Sequence, residues 1–184
     1  DYAYRIYGWT RGLIQYYSSD YFPPHWSDAN KVYENIYVGN IYAAYDKNFL
    51  EENNITHIIN CVNGSSGGFP KDYEYLNLPL VDENYENIFP FFKSSCEFIK
   101  KALDENGTIY IHCVCGVSRS ATIAAAYIIL QEPDTSVDEI IQRMQEQRNK
   151  INPRKQFRNQ LEKWSKYQFG VIQEIILSTI ESLP

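Results

Sequence analysis

Residues 108–130, TIYIHCVCGVSRSATIAAAYIIL, decide how this chain is read. Thr108–His112 is an apolar run of strand length. Ser120–Leu130 is apolar nearly all round, which marks a central, buried helix. Between them a cysteine ends the strand, five residues make a turn around Gly116, and Arg119 opens the helix. A strand feeding directly into a buried helix is the unit of an α/β protein.

The flanking sequence repeats that alternation. Ile36-Tyr37-Val38 reads as a short strand, 45–53 as a short helix and 56–62 (THIINCV) as a buried strand. The composition of 63–70 (NGSSGGFP) makes it a loop. A further strand is expected over 73–80 and an amphipathic helix over 87–103, with Phe91, Phe92, Cys96, Phe98 and Ile99 on its apolar side. Ser136-x-x-Glu139 is a capping box opening a helix from Val137 to about Arg148. A last core helix is expected over 154–167. The fold class is α/β, a central mixed and mostly parallel sheet flanked by helices.

The two ends differ from this core. Residues 1–32 form an aromatic-rich N-terminal extension, broken by Pro23-Pro24 and expected to pack on the core. In 168–184, Ile172, Ile175, Ile176, Ile180 and Leu183 recur at helical spacing and predict a final helix. The core domain is then 33–167. Met144 is the sole methionine and the chain opens on Asp1, so the sequence is expected to be a piece of a longer protein.

Bulk properties exclude several classes. The chain has 184 residues, 44% hydrophobic and 22% charged, so wholesale disorder is excluded. The net charge is −6, which argues against nucleic acid and against anionic membrane as partners. No apolar run approaches the ~20 residues of a membrane span. The cysteines, Cys61, Cys96, Cys113 and Cys115, form no CxxC pair and no secreted framework. A reducing, cytoplasmic setting is expected, with the nucleus as the other option. No metal or cofactor is called for, and nothing fixes the oligomeric state.

The turn 113–119 is suited to an anion. Successive backbone N–H groups of Val114, Cys115, Gly116, Val117, Ser118 and Arg119 can converge into a nest. The helix behind it presents its positive dipole end to the same point. The Arg119 fork can bind two phosphate oxygens. The same field lowers a cysteine pKa, so Cys113 becomes a thiolate aimed at a cradled phosphorus.

These residues carry a resemblance. His112-Cys113-Val114-Cys115-Gly116-Val117-Ser118-Arg119-Ser120 resembles the HCxxGxSRS signature of dual-specificity phosphatases, within the cysteine-dependent protein phosphatases. Ile36–Gly39, His57–Asn60, Leu78–Asp82 and Arg148–Pro153 resemble further segments of that family, from position 33 to 167. One departure is visible: Arg154 follows Pro153, where the family usually has asparagine. It is expected to alter a local loop and to leave the chemistry alone.

The resemblance implies the cysteine-phosphatase fold in its compact type, and a role for each residue. Cys113 is the nucleophile and forms a phosphocysteine. Arg119 binds the phosphate. Asp82, 31 residues before Cys113, is the general acid, with Glu83 and Glu86 as substitutes. Ser120 hydrogen-bonds the sulfur, and His112 shapes the cysteine's surroundings. Some members protect the nucleophile with a second cysteine, for which Cys61 is the candidate; a plain packing role for Cys61 is the alternative. The implied partner is a phosphorylated protein, with phosphate-like anions held in the loop. Val114, Cys115 and Val117 are uncharged, which disfavours an inositide substrate, and the acidic total disfavours an RNA 5′ end. A non-catalytic phosphate-binding module and a persulfide-carrying sulfurtransferase are the readings from other classes.

Overall fold

The computed structural model describes residues 26–181, with side chains as far as residue 168. The aromatic run up to Pro24 and the isoleucine pattern from Ile172 onward lie outside those limits. Five strands form one sheet: β1 (Ala29–Tyr33), β2 (Ile36–Gly39), β3 (Ile55–Asn60), β4 (Glu74–Asn77) and β5 (Thr108–His112). The helices are α1 (Lys47–Glu52), α2 (Phe92–Asp104), α3 (Arg119–Gln131), α4 (Val137–Gln147) and α5 (Lys155–Glu181). The strand order is β1-β2-β5-β3-β4; only β1 and β2 pair antiparallel.

β5 takes the centre because both of its faces find cover. Ile109 and Ile111 enter the cluster with Ile123, Phe92 and Leu161, while Tyr110 enters the one with Leu50, Ile58 and Ala44. Alternate residues of a strand point to opposite faces, and a strand covered on both reads as an unbroken apolar run. α3 packs against the first face with eleven of its thirteen residues buried. Trp164 locks α5 onto it by donating Nε1–H to Ala126 O at 3.0 Å. The Ser136 cap forms as expected: its Oγ accepts the Glu139 N–H at 3.2 Å.

Four expectations change. β1 lies inside the segment read as an extension, so the sheet begins before residue 33. Only Val32 of that strand is buried, so it has no alternating pattern to read. β4 is shorter than expected: Asn77 ends it, two residues before a proline that cannot donate to a ladder. The helix expected from 87 starts as a 3₁₀ turn, Phe89–Phe91, containing Pro90, and becomes α-helical at Phe92. The two helices expected over 154–167 and 168–184 are one continuous element, α5. Among the described residues no helix is long and apolar enough to cross a membrane.

Candidate active site

The turn from Cys113 to Arg119 sits at the C-terminal end of β5 and at the N-terminus of α3. Both of its ends are rigid, so the question is where its backbone groups point. A buried carbonyl needs a donor, and each one from Val114 to Ser118 has found it away from the pocket. Ile41 N–H donates to Val114 O, Asn152 N–H to Val117 O and Thr122 N–H to Ser118 O. Arg148 donates Nη2–H to Cys115 O at 3.3 Å and Nε–H to Gly116 O at 3.0 Å. With five carbonyls fastened outward, the intervening N–H groups are left to face the concave side. The Gly116 N–H does so, 3.2 Å from Cys113 Sγ.

Gly116 could be no other residue. Its φ is +66°, and a Cβ there would meet the Gly39 backbone at 2.4–2.7 Å. Arg148, in turn, is fixed by β1. Nη1 donates to Asp28 Oδ1 at 2.6 Å and Asn30 Oδ1 at 2.9 Å, and Nη2 to Asp28 Oδ2 at 3.1 Å. The Arg148 guanidinium hydrogen-bonded to Asp28 outweighs partial burial and holds that carboxyl below its ordinary value. Neither Arg148 nor Asp28 stood out in the sequence as a site residue. The arginine was visible in the segment 148–153, but its partner Asp28 lies immediately before a strand that has no sequence pattern.

Cys113 is buried, with its Sγ accepting from Gly116 N–H and, at 3.3 Å, from Ser120 Oγ–H. Burial pushes the thiol up, but the Arg119 guanidinium, the Ser120 hydroxyl and the N–H groups of Ser120 and Val117 together bring it below its ordinary value. Arg119 is itself 3% exposed. It donates Nη1–H to Cys61 O at 3.2 Å and to Leu80 O at 3.0 Å. His112 lies behind the cysteine, stacked on Tyr110 with centroids 5.7 Å apart. Burial, joined by the Arg119 charge, pushes it down to about 3, so it is neutral.

Asp82 reaches the same site from the segment after β4. The bond from Arg119 to Leu80 O fastens that segment two residues upstream. Gln156 and Gln160 of α5 fasten it downstream through Glu86 O. The Glu86 carboxylate is used locally, accepting from Val81 N–H at 2.8 Å, and Glu83 is exposed, so of the three candidates Asp82 is the one set on the site. Arg154 now enters. Its Nε–H donates to Asp82 Oδ1 at 2.7 Å, and its backbone N–H donates to Ser118 Oγ at 3.2 Å. The sequence departure at 154 therefore falls on the carboxylate proposed as general acid, and the expectation that it concerns only a loop is corrected.

Cys61 follows β3 at the level of the phosphate loop, its N–H donating to His112 O at 2.8 Å. Burial, with Cys113 close by, pushes its thiol well up, so it is protonated. Cys115 is exposed on the loop, and all four cysteines are free thiols.

The family model for the dual specificity phosphatase catalytic domain matches residues 36–167, most of the chain. The chain belongs to the dual specificity phosphatase family. It is 35% identical over 144 residues to human dual specificity protein phosphatase 16, covering 76% of this chain and 22% of that protein. It is 31% identical over 139 residues to human dual specificity protein phosphatase 22, covering 76% of this chain and 74% of that one. The crystal structure of DUSP15 superposes with a TM-score of 0.71 at 28% identity, over 85% of this chain and 97% of the other. The human tyrosine phosphatase-like serine/threonine/tyrosine-interacting protein also superposes, with a TM-score of 0.71 at 28% identity over 77% of this chain and 97% of its own. This dual specificity phosphatase domain thus spans about a fifth of one curated relative and about three quarters of another.

Proposed function

We propose that this domain hydrolyses phosphotyrosine and phosphoserine/threonine on proteins through a phosphocysteine intermediate. One observation carries the reading: a thiol held below its ordinary pKa on the floor of a loop whose five carbonyls all point away. The loop N–H groups and Arg119 take the three terminal oxygens of the phosphate. Cys113 Sγ attacks phosphorus, the P–O bond to the substrate breaks, and Asp82 gives its proton to the leaving oxygen. In the second step water attacks phosphorus, Asp82 takes the water proton, and the S–P bond breaks to release inorganic phosphate. The Ser120 hydroxyl receives the returning thiolate. A reducing compartment, cytoplasmic or nuclear, suits such a thiolate. A non-catalytic phosphate-binding role is disfavoured, because nucleophile, cation and acid are all present.

The test is phosphate release from phosphotyrosine and phosphothreonine peptides, set against a phosphoinositide and an RNA 5′-triphosphate, with radiolabel trapped on Cys113 by rapid acid quench. Release from the peptides with label on Cys113 is expected. Release from the inositide alone would overturn the protein-substrate reading.

Asp82→Asn keeps the side-chain shape and removes the transferable proton. Its expected effect is a fall in kcat by about 10²–10³ at unchanged phosphate affinity. An unchanged kcat would move the acid to another residue.

Arg154 is a positioning residue in this scheme. Both partners of the pair are about a third exposed, so it is worth a fraction of a buried pair. Arg154→Ala is expected to lower kcat about two- to fivefold with KM little changed. In an Asp82→Asn background the same change should have no effect. A double-mutant cycle reads this directly, and additive losses would place Arg154 elsewhere in the reaction.

A further inference from the structure

We propose that His57, Glu74 and Glu105 form a binding site for a divalent transition cation of the zinc class, remote from the phosphate loop. Three elements bring the residues together. His57 lies on β3, Glu74 is its register partner at the start of β4, and Glu105 caps the C-terminus of α2. His57 Nε2 is 3.4 Å from Glu74 Oε2 and 3.9 Å from Glu105 Oε2, and the three ligand atoms all lie within 4.8 Å of one another. Along β3 the site is about 13 Å from Cys61, at about 3.3 Å per residue, toward the opposite end of the sheet from Cys113.

The histidine side chain is 5% exposed, and its Nε2 makes no hydrogen bond. Its other nitrogen is held by Thr56. Nδ1 is 2.8 Å from Thr56 Oγ1, which is also 3.2 Å from Thr108 O and accepts from Thr108 N–H at 3.2 Å. With Nδ1–H donating to Thr56 Oγ1, the hydroxyl proton is left for Thr108 O. Nε2 faces the two carboxylates. Two carboxylates turned toward one ring nitrogen call for a positive centre among the three, which a metal ion would supply. Phe98, edge-on at 5.4 Å, holds the ring in that direction.

The spacing suits a metal. Bonds of about 2.0–2.1 Å in a tetrahedral arrangement set neighbouring ligand atoms roughly 3.3 Å apart. The Nε2–Glu74 separation already matches, and the half-exposed Glu105 side chain has room to close the remaining distance. One imidazole with two carboxylates favours zinc and its neighbours over calcium or magnesium, and the absence of thiolate disfavours copper(I). A hydroxyl on Nδ1 is the outer support that metal-bound histidines commonly have. Lys101 donates Nζ–H to Glu74 Oε2 at 2.7 Å and is the cation that metal must displace. The fourth position is open to water.

The test uses the full chain carrying Cys113→Ser, which removes the reactive thiolate as a competing zinc ligand. Zinc ion is titrated in by calorimetry, and cobalt(II) is followed by its visible spectrum. One equivalent is expected, with affinity at least tenfold weaker in Glu105→Gln and in Glu74→Gln, surface changes that leave the fold intact. At free zinc a hundredfold above Kd, the melting temperature should rise by about 5–10 °C. No saturable uptake, as when a proton occupies Nε2 instead, would overturn the proposal. So would binding of unchanged affinity in Glu105→Gln. Uptake is read on an inactive chain, so it is independent of the phosphatase reading.

Discussion

Replacing Cys113 by serine is expected to lower kcat on an aryl phosphate by a factor on the order of 10⁴ or more. The geometry explains why so small a change has so large an effect. The loop N–H groups and Arg119 still cradle the phosphate, and Gly116 N–H and Ser120 Oγ still face the substituted atom. What is lost is the ionised nucleophile. The stabilisation that brings the buried thiol below its ordinary value falls far short of ionising a serine hydroxyl near neutral pH. Phosphate and phosphopeptide affinity, read by calorimetry, should therefore survive. Retention of both turnover and trapped label would remove Cys113 from the mechanism. Loss of binding along with turnover would show that the substitution had collapsed the loop.

The second large effect is expected at Arg119. Arg119→Lys keeps the charge and loses the fork, and kcat should fall by about 10³, the order at which an arginine serving a transferring phosphoryl group is valued. Arg119→Ala should do more, because the Arg119 cation is the largest of the influences that lower Cys113. The sign follows from that. A thiol held low in the folded protein is ionised above its folded pKa and protonated as pH falls through it. Without Arg119, burial is less opposed and that transition moves to higher pH. Alkylation of Cys113 by iodoacetamide, measured against pH, should shift upward in Arg119→Ala and little in Arg119→Lys. The alanine variant also strips the shared donor from the carbonyls of Cys61 and Leu80; Leu80 O keeps the Asn63 N–H, while the buried Cys61 O loses its donor at a cost of about 1–3 kcal/mol. A lower melting temperature should accompany the lost activity. Equal alkylation profiles in all three proteins would mean that something other than Arg119 lowers the thiol.

The sequence by itself determined the strand–loop–helix unit and the residues within it. β5 and α3 are apolar throughout because they are covered on every side, so their burial is written into composition. Gly116, Cys113 and Arg119 are legible because a thiol, a glycine turn and a cation at the head of a buried helix make one anion site, and Ser120 is legible only through the resemblance to the phosphatase signature. Tertiary structure decided whatever depended on partners distant in the chain. β1 was invisible, since an edge strand with one buried residue has no period, yet Asp28 just before it anchors the arginine that binds two loop carbonyls. Arg148 was visible only as part of a family-like segment and Arg154 only as a departure from it, until the fold set one behind the loop and the other on Asp82, 72 residues away. His57, Glu74 and Glu105 show no metal-ligand spacing along the chain. They meet only because parallel pairing sets His57 beside Glu74 and the end of α2 brings Glu105 to the same edge. Local pattern reports what a residue needs from its immediate neighbours, and long-range pairing of charges is settled only when the elements dock.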